Sequence, residues 1–164
     1  MTFRLGITGS RWQPDEPQLI AAAKLVLELA NGDAVRVCQG CCTGFDTELT
    51  RYLKLAGRRV WVCGHPPKVT TFLDESNFSL CDEIMPADGY LERDRAIVRH
   101  GRQALVSGPK EYYFRSRGSG CWYTTKYGLL QGRDTYLVFP GGEVAEAQLV
   151  EGALTWKSRT STPS

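Results

Sequence analysis

The sequence predicts a single Rossmann-like α/β domain, doubly wound, with a mainly parallel sheet of about five core strands and helices on both faces. Short apolar strands alternate with amphipathic helices along the chain, and glycine-containing turns follow the strands. Size agrees, because 164 residues suffice for one sizeable core and fall short of two ordinary domains.

The first strand runs from about Phe3 to Thr8 and enters a turn at Gly9, Ser10 and Arg11. Its helix follows Pro17 through LIAAAKLVLELA to Asn31 and Gly32, with Lys24 and Glu28 four apart on an exposed stripe. Gly32 supplies a left-handed stop. The second strand, AVRVCQ, enters QGCCTGFD; beyond it Phe45, Leu49, Tyr52, Leu53 and Ala56 recur at the spacing of one helical face, ended by Gly57. RRVWVCGH is apolar apart from its basic start, as a strand buried on both faces should be. Residues 66–88 hold paired prolines and scattered polar residues, and read as an irregular, ligand-covering excursion with a short helix or strand at most. YLERDRAIVRHG is the third helix, QALVSGP the fourth core strand, GSGCWYTTKYGLLQG the fourth helix and DTYLVFPGG the fifth strand. The Rossmann-like domain is thus placed at 1–142. A C-terminal extension over 143–157 packs on it as a hairpin around Glu151 and Gly152 or as a short helix. Residues 158–164, small and polar, read as a disordered tail.

Composition narrows the function. No stretch approaches the roughly 20 apolar residues needed to cross a bilayer, and the first residues read as a strand instead of a secretory signal, so a cytoplasmic location without membrane association is expected. A formal charge of +2 is too small for a nucleic-acid footprint. Six cysteines in a chain with an adequate core read as reduced thiols. Cys38 and Cys41 form one CxxC pair with no second pair to match, and although Cys63 with His65 would complete a ligand set, Cys63 alternates with Val60 and Val62 in a buried strand. No metal and no cofactor are expected. Neither GxGxxG nor GxxxxGK[ST] occurs, which disfavours an ordinary dinucleotide site or a P-loop.

In a doubly wound sheet, ligands bind beyond the carboxyl ends of the strands, where helix N-termini present unsatisfied amides. Four sequences fall there: GITGSR, QGCCTGFD, RGSGCWYT and FPGG. Glycine permits close backbone approach, so Gly9 and Ser10 in the first turn and Gly118, Ser119 and Gly120 before the fourth helix suit a phosphate; turn-making alone accounts for any one of these loops equally well. Arg93 and Arg95 lie in the first turns of the third helix, where the backbone dipole disfavours cations; either an anionic ligand removes the conflict, or Glu92, Asp94 or another acid neutralises them on a solvated helix face. Arg93 shares a face with Ala96, Ile97 and His100 and should turn inward. Asp46 is placed to hold a ribose hydroxyl or simply to stabilise the start of its helix. His65 is a candidate ligand donor, and Trp122 and Tyr123 are candidate base-stacking groups whose plainer role is core.

Together TGSR (Thr8 to Arg11), GCCTGFD (Gly40 to Asp46), GHPP (Gly64 to Pro67), YLERDRAIV (Tyr90 to Val98) and SGCWYTTKYG (Ser119 to Gly128) resemble the SLOG superfamily. This Rossmann-like group includes DNA-processing protein A and the lonely-guy phosphoribohydrolases. The resemblance spans Leu5 to Gly142 and is nearest to a small bacterial and phage subgroup described as nucleotide-binding. It implies ligand contacts at Arg93 and at Gly118, Ser119 and Gly120, and places Asp46 in a matching position; with Gly9, Ser10, Arg11, Gly40, Thr43, Gly44, His65 and Thr124 these make up the candidate ligand-binding set. It also implies a homodimer. Against the phosphoribohydrolase signature GGxGTxxE, Cys121 stands at the threonine and Tyr123 at the catalytic glutamate. A tyrosine, with an ordinary pKa of about 10, does not replace a carboxylate at neutral pH.

The expected function is therefore binding of a phosphorylated nucleotide or nucleotide-derived small molecule, as a sensor or sequestering protein. The alternative is a nucleoside monophosphate N-glycosidase using an acid of the excursion, Asp74, Glu75, Asp82 or Glu83, with its catalytic residues otherwise unassigned. Single-stranded DNA binding is the third reading, and the small net charge makes a nucleic-acid partner the least favoured.

Overall fold

The structure, a computed structural model, describes residues 1–56, 59–111 and 120–159. In chain order the elements are β1 (Thr2–Gly9), α1 (Glu16–Ala30), β2 (Ala34–Gln39), α2 (Phe45–Leu55), β3 (Val60–Gly64), a short 3-10 helix (Glu75–Leu80), β4 (Glu83–Ile84), α3 (Tyr90–Gly101), β5 (Ala104–Gly108), α4 (Gly120–Leu130), β6 (Asp134–Val138), β7 (Val144–Val150) and β8 (Ala153–Ser158). One sheet runs β4-β3-β2-β1-β5-β6-β7-β8. Its pairs are parallel from β4 to β6 and antiparallel from β6 to β8. Strand order therefore reverses at β1 and β5, the switch point of a doubly wound sheet.

The sheet has eight strands where about five were expected. β4 is two residues long and pairs only with Cys63 and Gly64, too short to leave a periodic signature. The other two additions, β7 and β8, form a hairpin turning at Glu151 and Gly152, both at positive φ. Ser158 closes β8 instead of opening the tail, while residues 160–164 lie outside the described part. Among the described residues, no helix is long and apolar enough to cross a membrane.

The largest core lies between one face of the sheet and α1 with α2, and includes Leu5, Ile7, Val35, Val37, Leu19, Val26, Phe45, Leu49 and Leu53. On the other face α3 lays Ile97 on Cys38 and Cys63, and α4 lays Trp122 on Leu137, Phe139 and Ala145 beside Trp156 of the hairpin. Asp15 caps α1 by accepting from the Gln18 amide at 2.8 Å, and Asn31 (φ 49) begins the left-handed stop that Gly32 continues. The expected helix end at Gly57 lies outside the described residues.

Two side chains depart from expectation. Tyr52 is 37% exposed, because the buried arc of α2 is rotated to include Asp46, Thr47 and Thr50. Trp61 is half exposed, because its end of β3 lies beyond the helix that covers Cys63.

Close backbone approaches set the layer spacing. A Cβ on Gly101, at the end of α3, would stand 2.5 Å from the Gly6 amide of β1. Gly9 and Gly108 are register partners on β1 and β5, and Cβ atoms there would stand 2.4 and 2.2 Å from Phe45. Gly108→Ala should therefore lower stability by about 1–3 kcal/mol in urea unfolding, and Phe45→Leu in the same background should recover part of that loss. An unchanged unfolding midpoint in the single variant would contradict this packing.

Candidate functional site

The carboxyl ends of the parallel strands converge on one rim, and the switch point opens there into a cleft of about 370 Å³. Ser10, Trp12, Asp15, Gln18, Gly108, Lys110 and Pro140 line it, over the buried Phe45. Its wall is tied together by polar groups. Gln18 Nε2 donates to the carbonyls of Pro109 (3.0 Å) and Val138 (2.9 Å), and Asp15 accepts from the Gly141 amide at 3.0 Å. These bonds hold the start of α1 against the ends of β5 and β6. At the opposite side Lys110 Nζ lies 4.0 Å above the Trp12 ring, both residues being exposed. The volume falls within the range of small-molecule sites, roughly 300–1,000 Å³.

A polar cluster adjoins this cleft at the ends of β2 and the starts of α2 and α3. Arg93 is buried; its Nη1 donates to the Gly40 carbonyl at 2.7 Å and lies 3.3 Å from Cys42 Sγ, while Nε and Nη2 each reach Asp94 Oδ1 at 3.0 Å. Burial acts against its charge, but Asp94 leads the neighbours that more than compensate and hold its pKa above the ordinary value. Asp46 Oδ2 accepts from the Gly40 amide at 3.2 Å; its Oδ1 is buried with no hydrogen-bond partner. Burial pushes the Asp46 carboxyl up to about 7 against the pull of Arg93, and Asp94 adds to the rise. Burial likewise raises Asp94, opposed by Arg93 and by a hydrogen bond from Thr124. At the rim, the exposed Arg11 guanidinium lies 4.0 Å over the Phe72 ring and 5.2 Å from that of Tyr90, which Arg93 also faces at 5.3 Å.

The structure thus gathers Gly9, Ser10, Arg11, Gly40, Thr43, Gly44, Asp46, Arg93, Gly120 and Thr124 at one rim, and gives several of them different work from that expected. The glycines of the first two loops are packed against protein. Gly9 abuts Phe45, and a Cβ on Gly40 would meet Arg93 at 2.5 Å and Asp46 at 2.9 Å. Gly44, at φ +89, would meet the Ser10 carbonyl at 2.4 Å. Their neighbouring amides are also engaged: Ser10 N donates to the Gly108 carbonyl, Gly40 N to Asp46, and Phe45 N to the Ser10 carbonyl. Among the described residues, Arg11 and Lys110 are exposed cations at this rim, Arg11 stacked on Phe72 and Lys110 on Trp12. Gly120 opens α4, with its carbonyl accepting from Thr124 Oγ1 at 2.8 Å; Gly118 and Ser119 lie outside the described residues. Thr43 Oγ1 donates to the Arg11 carbonyl at 3.3 Å and joins the first two loops.

His65 stands apart from this group. It is buried beside Cys63 Sγ (3.5 Å), with its ring 5.0 Å from that of His100. Tyr123 meets Arg95 Nε at 3.2 Å on the outer side of α3 and α4, and Trp122 belongs to the second core. Three of the four candidate acids of the excursion are committed elsewhere: Asp74 caps the 3-10 helix through Ser76, Asp82 binds Lys54 and the Val62 amide, and Glu83 pairs with Arg36, while Glu75 is exposed in the first turn of that helix. The excursion itself is anchored more than it is a cover. Buried Asn77 exchanges two hydrogen bonds with Gln39 and donates to Thr47 Oγ1, and Cys42 bridges to Leu73. Sequence reasoning missed Lys110, in a loop without a motif. Asp94 does pair with Arg93, as one of the acids expected to neutralise it, but the pair is buried and not on a solvated helix face.

No known protein family and no curated protein matches the sequence. Among solved structures, the chain resembles the X-ray structure of TM1055, a structural genomics target, with a TM-score of 0.53 at 12% identity. The similarity covers 80% of this chain and 72% of the other. At that identity it shows the fold alone, a Rossmann-like α/β sheet.

The buried acid has a measurable signature. The folded-state pKa of Asp46, about 7, lies above the ordinary carboxylate value, so the native state holds this proton more tightly than the unfolded chain. Its contribution is therefore fully present below the unfolded pKa of about 4 and is lost as pH rises through about 7. Urea unfolding of the wild type and Asp46→Asn should show the wild type losing ground to the variant between about pH 5 and about pH 8. A difference independent of pH would mean that Asp46 titrates normally.

Proposed function

We propose that the protein binds a phosphorylated nucleotide or a nucleotide-derived small molecule at the β1/β5 switch point, acting as a sensor or sequestering protein. The observation that carries this reading is the cleft of about 370 Å³ at the reversal of strand order, lined by Ser10 and the exposed Lys110, with the exposed Arg11 next to Ser10 in the chain. In this reading the phosphate meets Arg11 and Lys110 and the Ser10 hydroxyl, while Trp12 offers an exposed ring to the base. The SLOG resemblance supports the same ligand class. We place the activity in the cytoplasm, a reducing compartment suited to six free thiols, and in a homodimer.

Calorimetry of the folded protein against nucleoside mono- and diphosphates and cyclic nucleotides tests this. Saturable binding is expected for at least one phosphorylated nucleoside. Arg11→Glu or Lys110→Glu should weaken it by tenfold or more, about 1.4 kcal/mol. Absence of binding across the set, by protein shown to be folded, would refute the proposal.

A second reading rests on a separate observation, the buried Asp46 Oδ1 without a hydrogen-bond partner, on a carboxyl that burial pushes up to about 7. A general acid or base works best when its pKa lies near the operating pH. Asp46 is then the acid that an N-glycosidase acting on a nucleoside monophosphate would use, in place of the excursion acids. Chromatography should detect free base after incubation with nucleoside monophosphates, and Asp46→Asn should abolish its release. No turnover of any nucleoside monophosphate by the wild type would defeat this reading.

A further inference from the structure

We propose that Cys38, Cys63 and His65 form a buried site for a divalent transition metal of the thiolate and imidazole class to which zinc belongs. The sheet register carries the argument first. Cys38 and Cys63 are direct partners on the adjacent parallel strands β2 and β3, so both sulfurs fall on the face covered by α3, beside Ile97 and Met85. His65 follows two residues later, where its amide donates to the Gln39 carbonyl at 2.8 Å and returns its ring toward Cys63. The expected partner of Cys38 by sequence spacing was Cys41. Register pairing supplies Cys63 instead, from 25 residues away.

The donor geometry suits one ion. The two sulfurs and an imidazole nitrogen lie within 4.8 Å of one another, and the Cys63 Sγ to His65 Nε2 distance is 3.5 Å. Tetrahedral coordination with Zn–S of about 2.3 Å and Zn–N of about 2.0–2.1 Å sets a sulfur-to-nitrogen edge of about 3.5 Å. The ring of His100, on α3, is centred 5.0 Å from that of His65. Two imidazoles on one tetrahedral ion stand roughly 5 Å apart by the same bond lengths. His100 lies outside the three-donor cluster, and its half-buried ring is the other imidazole at hand for a fourth position.

The chemistry of the donors agrees. Cys38 and Cys63 are fully buried and His65 is 3% exposed, so their polar atoms have little access to water. A divalent ion would displace the thiol protons of Cys38 and Cys63 to solvent and balance the two thiolates, leaving no uncompensated buried charge. Such a site would staple β2 to β3 on the face that α3 covers.

The test uses the full chain, reduced, treated with chelator and titrated with Co²⁺ alone. One equivalent should bind with a thiolate-to-cobalt charge-transfer absorption, be displaced by Zn²⁺, and raise the thermal unfolding midpoint. Cys38→Ala, which keeps an apolar side chain at a packed position, should lose most of that absorption; Cys41→Ser, in the separate thiol pair with Cys81, should keep it. If Cys38→Ala does not fold, the wild-type absorption and stoichiometry decide. Folded wild-type protein that takes up well under one equivalent, or binds cobalt without a thiolate band, would overturn the proposal. So would loss of the band in Cys41→Ser with retention in Cys38→Ala.

Discussion

The ring of Phe45 occupies the space above the register partners Gly9 and Gly108, where side chains on either strand would collide with it. This contact fixes the first turn of α2 across the two strands at which the sheet reverses. Gly44 must take a positive φ to deliver that turn, its backbone pressed on the loop after β1, and the Phe45 amide closes on the Ser10 carbonyl. The loops after β1 and β2 are thereby locked to each other and to β5. The cleft follows from the same constraint, since its base is the buried Phe45 and its wall is the end of β5 bound through Gln18.

The glycines that read as a phosphate cradle are explained in large part by this packing. A small residue with close neighbours leaves the same mark in a sequence whether the neighbour is a ring, a guanidinium or a ligand. Gly9 answers to Phe45 and Gly40 to Arg93 and Asp46, and their local amides already have acceptors. Anion recognition then passes from backbone to side chains. Arg93 is enclosed by Asp94 and the Gly40 carbonyl, so it organises the rim more than it offers charge to a ligand, and Arg11 and Lys110 are exposed cations there among the described residues.

The strands and helices of the core were legible because their apolar residues repeat at the strand and helix periods. Position on β1, β2, β5 and α3 followed from that alone. Elements that gain their place from single polar contacts were not legible. β4 is two residues long, and the segment before it is held by the Asn77 to Gln39 amide pair, which hydrophobic periodicity does not register. The same limit hid the rotation of α2, whose buried face includes Asp46, Thr47 and Thr50, and the register that sets Cys63 beside Cys38. Long-range pairing converts residues distant in sequence into one site, and a single sequence carries no trace of it.

Chemical-shift mapping by NMR, with a bound nucleoside phosphate, tests the central claim most directly. The account predicts that the largest amide shifts fall on residues 10–15 and 108–110, at the two sides of the switch point. Shifts confined to the outer faces of the helices or to the β7–β8 hairpin, with those two loops unmoved, would contradict it.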